Sequence, residues 1–561
     1  MAQLPACLGS EFRCQLFGVP RAFLMTISDE EFMAIVEAAA GPDDFPRRKG
    51  PSASSVARNI RTSRGVREPL SGHPRVRLPG WANELREMLH ALGELEFSSR
   101  GSSPLQKVCE VGSQYGLRRL ERTVSSELLS LLCPIAKRRL KDNLQRVLVR
   151  ATRPCFALEL NAFRCAFEAI YSEKGAATTE LIERKFLEKP PYHRLISLFK
   201  NFPVLAKLWS LLISQWRDHI AELLLRFSAD RVAVSRTFFA ARPVDKILNI
   251  RPGLSDPHNK GRSVMLLQCH ASSIIYKPRS GHGEQEWFSF IRYLNAGSFR
   301  PKLKAARVLC RDGYCWMEKI RFAPCKDHAA ARRFYERLGG TIAAAYLLRA
   351  VDCHRDNVIA SGEYPVLVDA ETLRHVTRKT QIQSPLDALY ETGFFPRSNR
   401  RSSWQYRSSV LGKTTTGQHI PRIGATPLSA ARYKREIVNG FRSAWDCVLE
   451  NEKGRAAFVR WVRRLRAVER RRIYWPTANY DRIRRASIQP TALRSGIERD
   501  ILIARSCARS AVSPALIRAE INALKRLDIP YFTRKIEQGP FYDERNVLPD
   551  VLKALRRAVH F

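Results

Sequence analysis

No CxxC pair occurs among the 13 cysteines of this 561-residue chain, so the spacing that builds a structural zinc site is missing. The two Cys-His dipeptides, Cys269-His270 and Cys353-His354, are separated unlike a known zinc pattern, and scattered single cysteines are typical of reduced, mostly buried thiols. Long apolar runs are missing too. The longest, near Val204 to Ile213, is broken by Lys207 and falls short of the roughly 20 residues that span a bilayer. The first residues lack the basic segment and continuous apolar core of a secretory signal. These absences predict a soluble, cytoplasmic protein with no membrane partner. Acid is scarce: 54 Asp and Glu face 95 Lys and Arg, a formal net charge of +41. Arg47-Arg48-Lys49, Lys137-Arg138-Arg139 and the arginines of 460–472 carry part of it. Such a surface attracts polyanions, although a genome-wide arginine bias accounts for the charge equally well. Nucleic acid is disfavoured as the partner, because the chain has no zinc-finger spacing, no RNA-recognition motif and no basic-aromatic interleaving. No internal repeat is present.

What the chain does contain is Asp352-Cys353-His354-Arg355-Asp356-Asn357, then Val366-Leu367-Val368-Asp369-Ala370-Glu371. An acid, a His two residues on, an Asn five residues on and a second acid closing a β-like segment are the parts of ATP-dependent phosphoryl transfer. In that reading Asp352 orients or deprotonates a hydroxyl, and Asn357 and Asp369 give magnesium hard oxygen ligands. His354 orients Asp369 or the phosphates. The plain alternative is that Asp352 and Asn357 cap a turn, Asp369 ends a strand and His354 is a packed core histidine.

Upstream, three short apolar runs (247–250, 264–267, 274–276) are separated by turn-rich clusters, which predicts consecutive antiparallel strands with Lys277 at the end of the third. A kinase small lobe places its phosphate-binding Lys there. The intervening loop, Asp256-Pro257-His258-Asn259-Lys260-Gly261-Arg262, stands where a phosphate-covering loop belongs but lacks the usual glycine spacing. Arg311-Asp312-Gly313 predicts a hairpin within Val308 to Ile320. A helix capped by Asp327 follows, with Phe334, Leu338, Ile342 and Ala345 at helical spacing. Gly339 and Gly340 would weaken it by about 1 kcal/mol each unless close packing needs them. Before residue 240 the spacing is mainly helical, as in Leu129, Leu132, Ile135 and Leu140 or Leu195, Leu198, Phe202 and Leu205, while 41–80 reads as a linker or long loop. The class is α+β: a mainly helical region over 1–240, a kinase-like small lobe over 241–325 and a large lobe over 326–561.

Seven ordered blocks resemble the dehydratase region of class II lanthipeptide synthetases: DPHNKGR at 256–262, YKPR at 276–279, DCHRDNVIA at 352–360, PVLVDAETL at 365–373, SVLG at 409–412, RRIYWPT at 471–477 and DIPYF at 528–532. The resemblance implies a two-lobed, lipid-kinase-like core. It implies ATP- and Mg2+-dependent phosphorylation of Ser and Thr in a ribosomal precursor peptide, then elimination of phosphate to dehydroalanine and dehydrobutyrine. By motif position it assigns Arg471 and Thr477 to elimination, Glu371 to an acidic position that organises metal or base, and Asp256, His258 and Arg262, with Lys277, to the nucleotide phosphates. It also makes the helical N-terminal region a support for the kinase core and for peptide binding.

Each of these assignments has a plain structural counterpart. Arg471 lies among Arg463, Arg464, Arg466, Arg470 and Arg472, where a solvated surface charge is the ordinary outcome. Thr477 otherwise passes as a cap after Pro476, Glu371 as a strand-end acid, and Asp256 and His258 as hydrated loop residues. Trp475 stands where a second Arg is expected, removing a cation near the phosphate path. A cyclase portion with its zinc ligands has no counterpart, so no cyclase activity is expected and a separate cyclase is a candidate partner. A phosphotransferase of the lipid-kinase type without elimination, and a catalytically dead basic binding protein, are the competing readings.

Overall fold

The computed structural model describes residues 27–44, 78–91, 103–171, 178–186, 188, 191–270, 272–373, 384–396, 408–412, 416–450, 452–465, 468–510, 512–535 and 548–559. Most of the linker expected at 41–80 lies outside them. The chain divides into two compact units: Met1–Arg226 with Asp256–Arg262 and Pro476–Pro530, and Phe227–Ser255 with Ser263–Trp475 and Tyr531–Phe561. Helices and strands are mixed, as the α+β reading expects.

The first unit is helical among its described residues. Its helix Pro104–Thr123 starts from a capping box of Ser103 and Gln106 with Pro104 in its first turn. Close approach explains two of its glycines, since a methyl on Gly112 would enter the Trp209 ring and one on Gly116 would strike Leu144. Leu195, Leu198, Phe202 and Leu205 are all buried, as their spacing predicts. The run from Leu129 to Leu140 differs: Ile135 is 60% exposed. The cause is a break, because one short helix ends at Ser130 and another, Pro134–Tyr171, begins with a new phase. Among the described residues no single helix is long and apolar enough to cross a membrane.

The second unit is built on an antiparallel sheet of β1 (Asn249–Arg251), β2 (Met265–Cys269), β3 (Ser272–Lys277), β4 (Val308–Arg311) and β5 (Tyr314–Glu318), in the order β1-β2-β3-β5-β4. The predicted hairpin is β4–β5, with Gly313 at a φ of 73° that the turn requires. Asp230 is buried against this sheet and accepts from Arg311 Nε at 2.7 Å, Tyr314 Oη at 2.8 Å and Trp316 Nε1 at 2.7 Å. A buried carboxylate with three donors is stable where an unpaired one is not.

Helix His328–Leu347 is capped as predicted, Asp327 accepting from the Ala330 N–H at 2.7 Å. It packs on helix Lys434–Leu449 so closely that a methyl on Gly339 would meet the Ile437 carbonyl, and one on Gly440 the Glu336 carbonyl. Gly340 faces the Phe299 ring in the same way. The glycine cost is therefore offset by backbone-to-backbone packing. Beyond this helix come the hairpin β6 (Val358–Ser361) and β7 (Tyr364–Leu367), then β8 (Arg422–Ile423) with β9 (Thr426–Pro427), and β10 (Arg470–Arg472) with β11 (Phe532–Arg534).

Candidate active site

Lys277 ends β3 with its side chain inside, and only 4% of the residue is exposed. Its Nζ donates to Glu284 Oε1 at 2.7 Å and to the Val368 carbonyl at 2.8 Å, and lies 3.9 Å from Asp369 Oδ1. Glu284 comes from the first turn of helix His282–Ala296 and is fully buried. Burial opposes the Lys277 charge, but Asp369 and Glu284 outweigh it and raise the pKa. Burial likewise opposes the Glu284 charge, and Arg279 and Lys277 reverse that balance. A buried charge persists only with such partners.

Two residues past Lys277, Arg279 joins the acids of this region. Its Nη2 donates to Glu284 Oε1 and to Asp369 Oδ1, each at 2.7 Å; its Nε is 2.8 Å from Glu371 Oε2; and its Nη1 donates to the Ser280 carbonyl at 3.1 Å. Glu371 Oε1 in turn accepts from Arg471 Nη1 at 2.6 Å, while Tyr531 Oη donates to Oε2 at 3.2 Å. Burial penalises the Glu371 carboxylate, yet Arg279 and Arg471 bring its pKa down to about 2. Three cations, Lys277, Arg279 and Arg471, thus face three carboxylates, Glu284, Asp369 and Glu371.

The loop before β6 supplies Asp352, His354 and Asn357. Asp352 sits at φ 62°, a left-handed conformation that Asp tolerates better than most residues and that recurs at functional sites. Asn357 Nδ2 donates to the Asp352 carbonyl at 2.9 Å, and Thr372 Oγ1 donates to the Val351 carbonyl. The Val368 N–H donates to the Asn357 carbonyl at 2.8 Å, extending the β6–β7 ladder and setting Asn357 beside the segment that carries Asp369. His354 Nδ1 accepts from the Asp356 N–H at 3.2 Å, and its Nε2 lies 3.4 Å from Asn357 Nδ2 and 3.6 Å from Asp352 Oδ1. Burial raises the Asp352 pKa, with His354 and Arg471 partly countering it.

A divalent cation of the magnesium type fits these donors. Among the described residues Asn357 Oδ1 and Asp369 Oδ2 accept no protein hydrogen bond, and both are hard oxygens of the kind such an ion takes. Asp369 lies two residues past β7, so it closes the strand as expected.

The structure therefore brings Lys277, Asp352, His354, Asn357, Asp369, Glu371 and Arg471 together in the second unit. Asp256, His258, Arg262 and Thr477 belong to the first. There the 256–262 segment is a tight turn, with φ of 46°, 69° and 76° at Asn259, Lys260 and Gly261. The N–H groups of Lys260 and Gly261 both donate to Asp528, each at 2.8 Å. His258 Nδ1 lies 2.7 Å from the Ile529 carbonyl, Arg262 Nε donates to Glu222 at 2.6 Å, and Asp256 is 3.9 Å from Arg484. Thr477 opens helix Thr477–Ala486 behind Pro476.

Sequence reasoning gave no role to Arg279, Glu284 or Tyr531. Arg279 and Tyr531 lie within the YKPR and DIPYF blocks, and Glu284 follows the lysine strand where a kinase helix offers its acid. Among the described arginines of its run, Arg470 rather than Arg471 is the most enclosed, tied to the Leu373, Leu465 and Val468 carbonyls.

A family model described as a domain of unknown function (DUF4135) matches residues 202–423 and 412–535. The lacticin 481/lactococcin biosynthesis protein LcnDR2 of Lactococcus lactis subsp. lactis is 21% identical over 422 residues, covering 66% of this chain and 43% of that protein. The chain thus spans less than half the length of this curated relative. Since the matched residues exceed half of the chain, it belongs to the DUF4135 family, and its resemblance to the dehydratase region of class II lanthipeptide synthetases holds.

Proposed function

We propose that the chain is a lanthipeptide precursor dehydratase, which uses ATP and magnesium to phosphorylate Ser and Thr of a ribosomal precursor peptide and then eliminates the phosphate. The observation that carries this reading is the meeting of the Lys277–Glu284 pair with Asp352, Asn357 and Asp369 in one unit. Kinase-type phosphoryl transfer needs such a lysine-acid pair, a carboxylate for the acceptor hydroxyl and an Asn/Asp metal seat. Lys277 offers a fixed positive charge to the nucleotide phosphates. Asp352, kept basic by burial, takes the hydroxyl proton, with His354 holding it in place. Asn357 and Asp369 would hold magnesium, which when bound neutralises charge on the phosphates.

Elimination calls for a cation at the departing phosphate, and Arg471 has Nε and Nη2 without a protein hydrogen bond among the described residues. Glu371, with a pKa of about 2 and a guanidinium on each oxygen, serves as a strut for the arginines rather than as a base. By the resemblance, Asp256, His258 and Arg262 are further candidates for binding nucleotide phosphates, and Thr477 is a candidate for the elimination step. The reading includes a small lobe over 241–325, a large lobe over 326–561, a helical 1–240 that helps bind the peptide, and a cytoplasmic setting.

Incubation with precursor peptide, ATP and magnesium should remove one water mass per modified residue. Phosphate addition without that loss would favour a phosphotransferase lacking elimination, a reading to which Trp475 in place of a second Arg lends weight. No nucleotide turnover would leave a basic binding protein.

A further inference from the structure

We propose that Tyr531 is a positioning residue for phosphate elimination, acting through Arg471; this rests on the dehydratase reading and adds a residue to it. In the β10–β11 ladder Arg471 stands opposite Thr533 and Arg472 opposite Phe532. Side chains alternate across a strand, so Tyr531, two residues before Thr533, is the diagonal same-face neighbour of Arg471, within reach of an aromatic ring. The Arg471 guanidinium lies 5.2 Å from the Tyr531 ring centroid. The same ring carries a hydroxyl that donates to Glu371 Oε2 at 3.2 Å, while Glu371 Oε1 accepts from Arg471 Nη1 at 2.6 Å.

Arg471 is therefore clamped twice, by a carboxylate on one nitrogen and by an aromatic ring 5.2 Å from its guanidinium carbon. Tyr531 serves both clamps, because it also fixes the carboxylate. Arg279, the other arginine on Glu371, has every nitrogen on a carboxylate or carbonyl partner. Arg471 keeps Nε and Nη2 without protein hydrogen bonds among the described residues. Of the two guanidiniums on Glu371, Arg471 is the one with donors left for a phosphate, and its fork must be held at a fixed angle to meet phosphate oxygens in pairs.

In the step itself the Cα–H bond of the phosphorylated residue breaks and its proton passes to a general base in the site. The electron pair forms the Cα=Cβ bond, and the Cβ–O bond breaks with its pair leaving on the phosphate. Negative charge grows on the phosphate as it departs, which is where a preoriented guanidinium counts most. Phosphoryl transfer relies instead on Lys277 and the Asn357–Asp369 seat, so Tyr531 should weigh on the second step more than the first.

The full chain, with Tyr531→Phe and Tyr531→Leu, is assayed on precursor peptide with ATP and magnesium and, separately, on the same peptide carrying a preinstalled phosphoserine. Tyr531→Leu should slow loss of phosphate from the phosphopeptide about tenfold, the scale of a lost cation-π contact and a lost orienting hydrogen bond. Phosphate addition should slow by no more than about threefold, on the same scale. Tyr531→Phe keeps the ring and should fall between Tyr531→Leu and the unaltered chain, with KM for ATP unchanged. Equal slowing of both steps would mark a merely structural residue and overturn the proposal, as would unchanged elimination in both variants. An unaltered chain that adds phosphate and never removes it overturns the dehydratase reading itself, and this proposal with it.

Discussion

Arg279 illustrates how much of this site is a matter of single side chains. It binds Glu284, which pairs with Lys277; Asp369, proposed above as a metal ligand; and Glu371, which pairs with Arg471. In the proposed reading, groups for the two chemical steps are thereby joined through one guanidinium. Their functions should still separate by mutation. Lys277→Ala or Asp352→Asn should lower phosphate addition by at least about a hundredfold, the scale of losing a preorganised catalytic group. Arg471→Met should let phosphopeptide accumulate, a result read by mass spectrometry of the peptide.

Protonation adds two expectations. Asp352 has a raised pKa in the folded state, so the acid limb of the phosphorylation rate should lie above the ordinary aspartate range near 3.8. A raised acid stabilises the fold below its unfolded pKa and loses that contribution as pH rises through the folded value. Asp352→Asn should therefore not lower the melting temperature at neutral pH, although it should cut phosphate addition at least about a hundredfold. Glu371 has the opposite sign. Depressed from 4.5 to about 2, it contributes stability above 4.5, on the order of 3 kcal/mol, that disappears as pH falls toward 2. Glu371→Gln should flatten melting temperature against pH across that interval.

At the scale of elements, the helix pair His328–Leu347 and Lys434–Leu449 carries the clearest mechanical constraint. Gly440→Ala would push a methyl against the Glu336 carbonyl, and because backbone cannot step aside cheaply the cost should be about 1–3 kcal/mol. A lower denaturant midpoint at constant slope would register it. The elements legible in the sequence are those whose signals are local. Asp312-Gly313 specifies a hairpin and Asp327 a helix start within three or four residues, and Lys277 ends a strand whose apolar run is contiguous. The Ile135 phase was misread because Pro134 restarts the helix at a new angle. Within the site, Lys277, Asp352, Asn357 and Asp369 are legible as one short motif and two strand ends. The partners that fix them are not, since Arg279 meets Asp369 across 90 residues, Arg471 meets Glu371 across 100, and Tyr531 meets it across 160. Spacing along a chain is silent about pairs that the fold alone creates.

For the whole molecule, a formal net charge of +41 is the dominant field. If that field recruits an acidic stretch of the precursor peptide, affinity should fall steeply between low and physiological salt, where the screening length shrinks from about 30 Å toward 8 Å. Fluorescence anisotropy of the labelled peptide across a salt series would report this, and salt-independent binding would assign recognition to uncharged contacts. The path of the chain bears on the same scale, since each compact unit is assembled from three separate stretches, with Asp256–Arg262 a seven-residue visit to the first. A gene cut in two at any one point would therefore leave at least one half-product missing pieces of its own interior. Biochemists who want either portion in isolation would have to rewire the connections by circular permutation or grafting, because trimming from an end cannot deliver it.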